Sequence, residues 1–146
     1  MNSTDTQAVS QSAVNVLLIS PHDEDHRQLQ AILRHSTWQQ YGARTQAEAL
    51  EVLRETNIPV VICESKLPDG TWRDVLSQLS RQPSPPLLVV SSRFADERLW
   101  SEALNLGAYN VLAKPLNATE VFHVVSLACL FWKRQWQPER SLARTA

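Results

Sequence analysis

Short apolar runs and amphipathic stretches alternate along this chain of 146 residues. The first run, VNVLLI at residues 14–19, has the unbroken hydrophobicity of a strand buried on both faces. An acidic stretch at residues 23–25 suits a helix N-terminus, and Leu29, Ile32 and Leu33 then recur at helical spacing. In this reading Asp23 and Asp25 are dipole-favoured charges facing solvent. Residues 38–43 form a weaker extended segment, and Ala47, Leu50, Val52 and Leu53 mark a second helix. Pro59 introduces a second unbroken run, VVIC, closed by the turn signal Pro68-Asp69-Gly70. A helix through Val75, Leu76 and Leu79 stops before PSPP. Then come LLVV at 87–90, a helix over 96–106 with a Gly107 stop, a short VLA strand broken by Pro115, and a long helix over 118–136.

Five short strands alternating with five helices imply βαβ units and a parallel sheet covered on both faces. The predicted class is therefore α/β, a doubly wound five-stranded parallel sheet in a three-layer α/β/α sandwich. One domain over residues 14–136 is expected. The polar residues 1–13 read as a disordered lead-in, and residues 137–146 as a mildly basic tail. Ligands of such sheets sit at the carboxyl ends of the strands. That rule singles out Ser20, Pro21 and His22, then Glu64, then Ser91 and Ser92, then Lys114 and Pro115.

Composition narrows the chemistry. The chain has only 3 glycines, too dispersed to build a phosphate-cradling loop. A net charge of −1 argues against a nucleic-acid-coating surface. No Lys or Arg precedes Arg27, so a secretory leader is not expected, and the apolar window at 121–132 is too short to cross a bilayer. The expectation is a cytoplasmic protein contacting neither membrane nor nucleic acid. Cys63 and Cys129 lie in apolar runs and read as small buried hydrophobes. His22 and His26 have a spacing that can bind Zn²⁺, but with no third ligand nearby they read as a solvated helix turn. No metal site is expected.

At its strand ends the chain resembles a response-regulator receiver domain, a flavodoxin- or CheY-like fold of bacterial two-component phosphorelay signalling. The segment VVICESKLPDG matches an apolar strand, an acceptor and a Pro-Asp-Gly loop. LLVVSS supplies the fourth-strand hydroxyl, and GAYNVLAKP the Gly-Ala and Lys-Pro signature. The resemblance implies an acidic Mg²⁺-holding pair at Ser20 and Pro21 and a phospho-accepting Asp at Glu64. Neither position keeps the family residue, so Mg²⁺ binding is expected to be lost or weak. Glu64 and Lys114 remain as a near-neutral pair, with Glu64 a permanent mimic reaching toward Ser91 or Lys114. The family's switch aromatic falls on Val111, with Tyr109 on the same strand face by period two. In the family the Lys114-Pro115 bond is cis and aims the lysine at the acceptor.

The expected function is thus an atypical receiver, not an enzyme, acting through protein–protein contact with a sensor kinase or output protein. An alternative is a competent Mg²⁺-dependent receiver using another carboxylate, such as Asp23 or Asp69. A third reading has Ser20, Ser91, Ser92 and Lys114 binding a small anion. Trp38 and Trp72 are expected at sheet or loop edges. Trp100, Phe122, Trp132 and Trp136 mark an interaction surface on the fourth and fifth helices, where receivers dimerise or meet partners.

Overall fold

The computed structural model describes residues 14–136, so the expected lead-in and tail lie outside the described residues. Five strands form one parallel sheet: β1 (Asn15–Ile19), β2 (Gln39–Ala43), β3 (Val60–Glu64), β4 (Leu87–Ser92) and β5 (Asn110–Ala113), in the order β2-β1-β3-β4-β5. Helices α1 (Asp23–Leu33), α2 (Gln46–Glu55), α3 (Trp72–Leu79), α4 (Glu97–Leu106) and α5 (Ala118–Trp136) connect them. The predicted class and element order are those observed. A short antiparallel ribbon, Lys66–Leu67 against Gly70–Thr71, adds detail inside the expected turn.

The two-residue period of the strands divides the core. Leu17, Ile19, Val61, Cys63, Leu88 and Val90 face one layer, built on α2, α3 and α4. Val16, Leu18, Val60, Ile62, Val89 and Leu112 face the other, built on α1 and α5. Each such side chain contributes about 1.5–3 kcal/mol by leaving water, so the central strands tolerate no register slip.

Local signals end the helices where the sequence suggests. Thr71 and Asp74 form a reciprocal capping box at the start of α3, and the Asp96 side chain accepts from the Leu99 N–H in α4. Gly107, at φ 114°, closes α4 in the left-handed conformation.

Several sequence expectations change. Trp72 is core rather than edge, at 2% exposure. Tyr109 does not share a face with Val111. It precedes β5, in the bend after Gly107, where the strand period does not yet apply, and packs on the α5 side while Val111 lies under α4. Trp132 and Phe122 are covered within the chain. The Trp132 indole N–H donates to the Ser84 carbonyl at 3.4 Å, and Phe122 sets its ring edge-on to Trp38, centroids 4.9 Å apart. Of the four residues expected at this surface, Trp100 and Trp136 are exposed, as are Leu104 and Leu106 of α4 and Leu127, Leu130 and Phe131 of α5.

Both cysteines are free and buried. Burial pushes the Cys63 thiol far up, with the neighbouring Glu64 charge adding to the effect, and burial raises Cys129 too. Neither thiol is expected to react with iodoacetamide in the native state at neutral pH, whereas both label in denaturant. Native labelling followed by mass spectrometry checks this.

Candidate functional site

Strands β1, β3, β4 and β5 end at one edge of the sheet, and their last residues converge on a buried polar cluster. Ser20, directly after β1, is fully buried, its backbone N–H held by the Ala43 carbonyl at 2.9 Å. Glu64 is the last residue of β3 and is buried at 7% exposure. Lys114 follows β5 at a cis Lys114-Pro115 peptide, with its side chain only 6% exposed.

The fourth member comes from a helix. Asp25 is the third residue of α1, and the buried face of that helix is Asp25, Leu29 and Leu33. Positions four apart stack on one face, so the leucines that dock α1 on the sheet carry Asp25 inward with them. Asp25 is therefore not a solvent-facing charge, as its place in an acidic first turn suggested. Asp23 does face solvent and pairs with Arg44, whose guanidinium holds the Asp23 carboxyl below the usual range.

The Lys114 ammonium joins both acids. It donates to Asp25 Oδ2 at 2.7 Å and makes a short contact with Glu64 Oε1. The Ser20 hydroxyl donates to the same Asp25 oxygen at 2.7 Å and accepts the His22 N–H at 3.1 Å. The other Glu64 oxygen accepts from the Ser65 hydroxyl at 2.8 Å and from the Lys66 N–H at 3.4 Å. The expected one-to-one pair is thus corrected to two acids around one base. Burying such groups is tolerable only because each finds a partner.

The remaining predicted positions contribute little to this cluster. Pro21 offers its carbonyl to Arg44 Nη1 at 3.3 Å. The Ser92 hydroxyl is spent on the Phe94 N–H at 3.0 Å, and Ser91 is buried beside Glu64 in the β3–β4 register. Asp69 points away from the cluster. Its carboxylate accepts the Gln46 and Ala47 N–H groups at 2.9 and 3.2 Å, capping α2 from the β3–α3 loop. No cluster of three His, Cys, Asp or Glu suited to a metal occurs among the described residues. The His26 ring instead lies against Gly42 and meets the Ser20 carbonyl at 2.9 Å.

Sequence reasoning missed Asp25. The signal was present in its four-residue spacing to Leu29 and Leu33, but a carboxylate in a first turn is also what the helix dipole favours.

Comparison with known proteins agrees with the fold. The family model described as the response regulator receiver domain matches residues 11–126. The aerobic respiration control sensor protein ArcB of Escherichia coli is 27% identical over 139 residues, covering 89% of this chain and 17% of that protein. A putative response regulator, NtrX-like, of Rickettsia bellii is 26% identical over 122 residues, covering 81% of this chain and 25% of that protein. The chain thus spans a quarter or less of the curated relatives it matches. Among solved structures, the signal receiver domain of an HD domain-containing protein from Pseudomonas fluorescens superposes with a TM-score of 0.75 at 22% identity, covering 84% of this chain and 90% of that one.

Proposed function

The chain belongs to the response regulator receiver domain family, and on that footing we propose that it is an atypical receiver of two-component signalling that works by protein contact without accepting phosphate. The observation that carries this reading is the Lys114 ammonium lying between the Asp25 and Glu64 carboxylates.

Receivers hold Mg²⁺ on strand-end carboxylates, and the donor set here does not fit that ion. Mg²⁺ takes octahedral oxygen ligands and is held by carboxylates together with substrate oxygens and water. Ser20 and Pro21 bring no carboxylate, and the two acids that do reach the cluster share one internal cation. Phosphoryl transfer relies on positioned positive charge around the transferred group. Lys114 is the only cation in the cluster among the described residues, and it is already neutralised.

Glu64 acts in this reading as a fixed negative group. Its carboxylate is bound by Lys114, Ser65 and the Lys66 N–H. The alternative acceptors are engaged elsewhere, Asp23 with Arg44 and Asp69 with α2. A cytoplasmic place of action, contact with a sensor kinase or output protein, and pairing of two copies through α4 and α5 go with this proposal. The apolar side chains left exposed on those helices support the last point.

Incubation with acetyl phosphate, or with beryllofluoride, in the presence of Mg²⁺ tests the reading. The expected result is no phosphoprotein by intact mass and no change in tryptophan fluorescence. A stable phosphoprotein, or a saturable Mg²⁺-dependent spectral shift, overturns it.

A further inference from the structure

Above the buried cluster, the β3–α3 and β4–α4 loops border a cleft of about 640 Å³ whose lining includes Glu64 and Lys114 of that cluster, with Pro21 and His22. Its most conspicuous wall is Phe94, which at 81% exposure is the most exposed large apolar side chain among the described residues. This ring is not on a loose loop. Its own N–H is held by the Ser92 hydroxyl at 3.0 Å, and its carbonyl accepts the Asp96 N–H at 2.9 Å. The chain thus holds an aromatic ring in water on a backbone tied at both sides. Leu99, half-buried, and the edge of Trp72 continue the apolar wall.

Charge around the cleft is one-sided. Two carboxylates line it against four cations: Glu102 pairs with Arg73, and Glu64 shares Lys114 with Asp25 beneath the cleft. The pair with Glu102 also lays the Arg73 guanidinium over the Trp72 ring, 5.1 Å from its centroid. Lys66 and Arg93, in contrast, are exposed on the rim and form no ion pair among the described residues. The nearby Asp96 carboxylate is turned to the N-terminus of α4.

An exposed, pre-ordered aromatic beside an arginine has the composition of an interface anchor, and unpaired rim cations select negative partners. We propose that this cleft binds an acidic peptide segment of a partner protein. One apolar side chain of that segment packs against Phe94 and Leu99, and flanking carboxylates meet Arg93 and Lys66. The inference names a partner surface for the contact-only receiver proposed above and rests on that reading.

The test screens a random peptide array with the full labelled chain, then with Phe94→Ala and with the Arg93→Glu/Lys66→Glu double variant. Their folding is checked by circular dichroism. All three positions are exposed, so the variants are expected to fold. Peptides bound by the unmodified chain should be rich in Asp and Glu next to an apolar residue. Each variant should weaken them about tenfold or more, added salt should weaken them further, and a Leu130→Ser control should not. Amide shifts on adding the best acidic peptide should centre on Lys66, Arg93 and Phe94. The proposal is overturned if no peptide binds, if neutral or basic peptides dominate, if inorganic phosphate produces the same shifts, or if the shifts centre on Leu130 and Phe131. None of these results changes the acetyl phosphate outcome, so the two readings fail separately.

Discussion

Replacing Lys114 with methionine lowers the stability of the domain by about 3–5 kcal/mol, the usual cost of stranding buried charge. Methionine keeps most of the side-chain volume, so the loss comes from electrostatics rather than from a cavity. Without the ammonium, the Asp25 and Glu64 side chains, 8% and 9% exposed, face each other with no counter-charge. A second change, Asp25→Asn, removes one of the two acids and should recover part of the loss. The double-mutant cycle then reads out the coupling. Denaturant unfolding followed by tryptophan fluorescence provides the measurement. Removing Asp23, whose pair with Arg44 is exposed, should leave the midpoint unchanged. Equal midpoints for Lys114→Met and the unmodified chain would show that the cluster is hydrated rather than sealed.

Trp132→Ala is expected to cost a further large amount, about 3–5 kcal/mol, because it empties a nearly closed site. Helix α5 has 19 residues and so runs about 28 Å. Its last turns are met by the loop before β4, where the Trp132 indole donates to Ser84 and the ring is 6% exposed. The milder Trp132→Phe retains the apolar body and gives up the hydrogen bond, for about 1 kcal/mol. An interface role makes the opposite prediction, loss of self-association at unchanged stability. Unfolding curves and sedimentation of the same variants separate the two. A Trp132→Ala protein with an unshifted midpoint would refute the core assignment.

Asp25 and Trp132 mark where sequence reading ran out. The strands were legible because a parallel sheet covered on both faces leaves unbroken runs such as VLLI and VVIC. The helices were legible from caps and spacing, with Asp96 and Gly107 bounding α4. Strand-end positions then fell into place, since the ends of β1, β3 and β5 meet wherever this order of strands is built. Asp25 did not, because its inward turn depends on how α1 rolls against the sheet, and two forces favour the same residue type at that position. Trp132 was misjudged for a related reason. A periodic apolar face tells how much surface needs covering, and only the path of a distant loop decides whether the chain itself covers it. Tyr109 shows the limit of the strand period, which fails one residue before the strand begins.

The helical origin of Asp25 limits what substitutions at the strand ends can achieve. Placing aspartates at Ser20 and Pro21 would set them beside two acids already in place, four carboxylates around one ammonium. Like charges so crowded oppose one another, so an acidic pair at these positions would be disfavoured while Asp25 remains. In the reading proposed above, Ser20→Asp/Pro21→Asp is therefore expected to need Asp25→Asn beside it before the cluster tolerates the added acids. With Asp25 gone first, Glu64 and Lys114 remain as a one-to-one pair. What the strand ends can accept is thereby set by a helix residue outside the positions the family resemblance singles out.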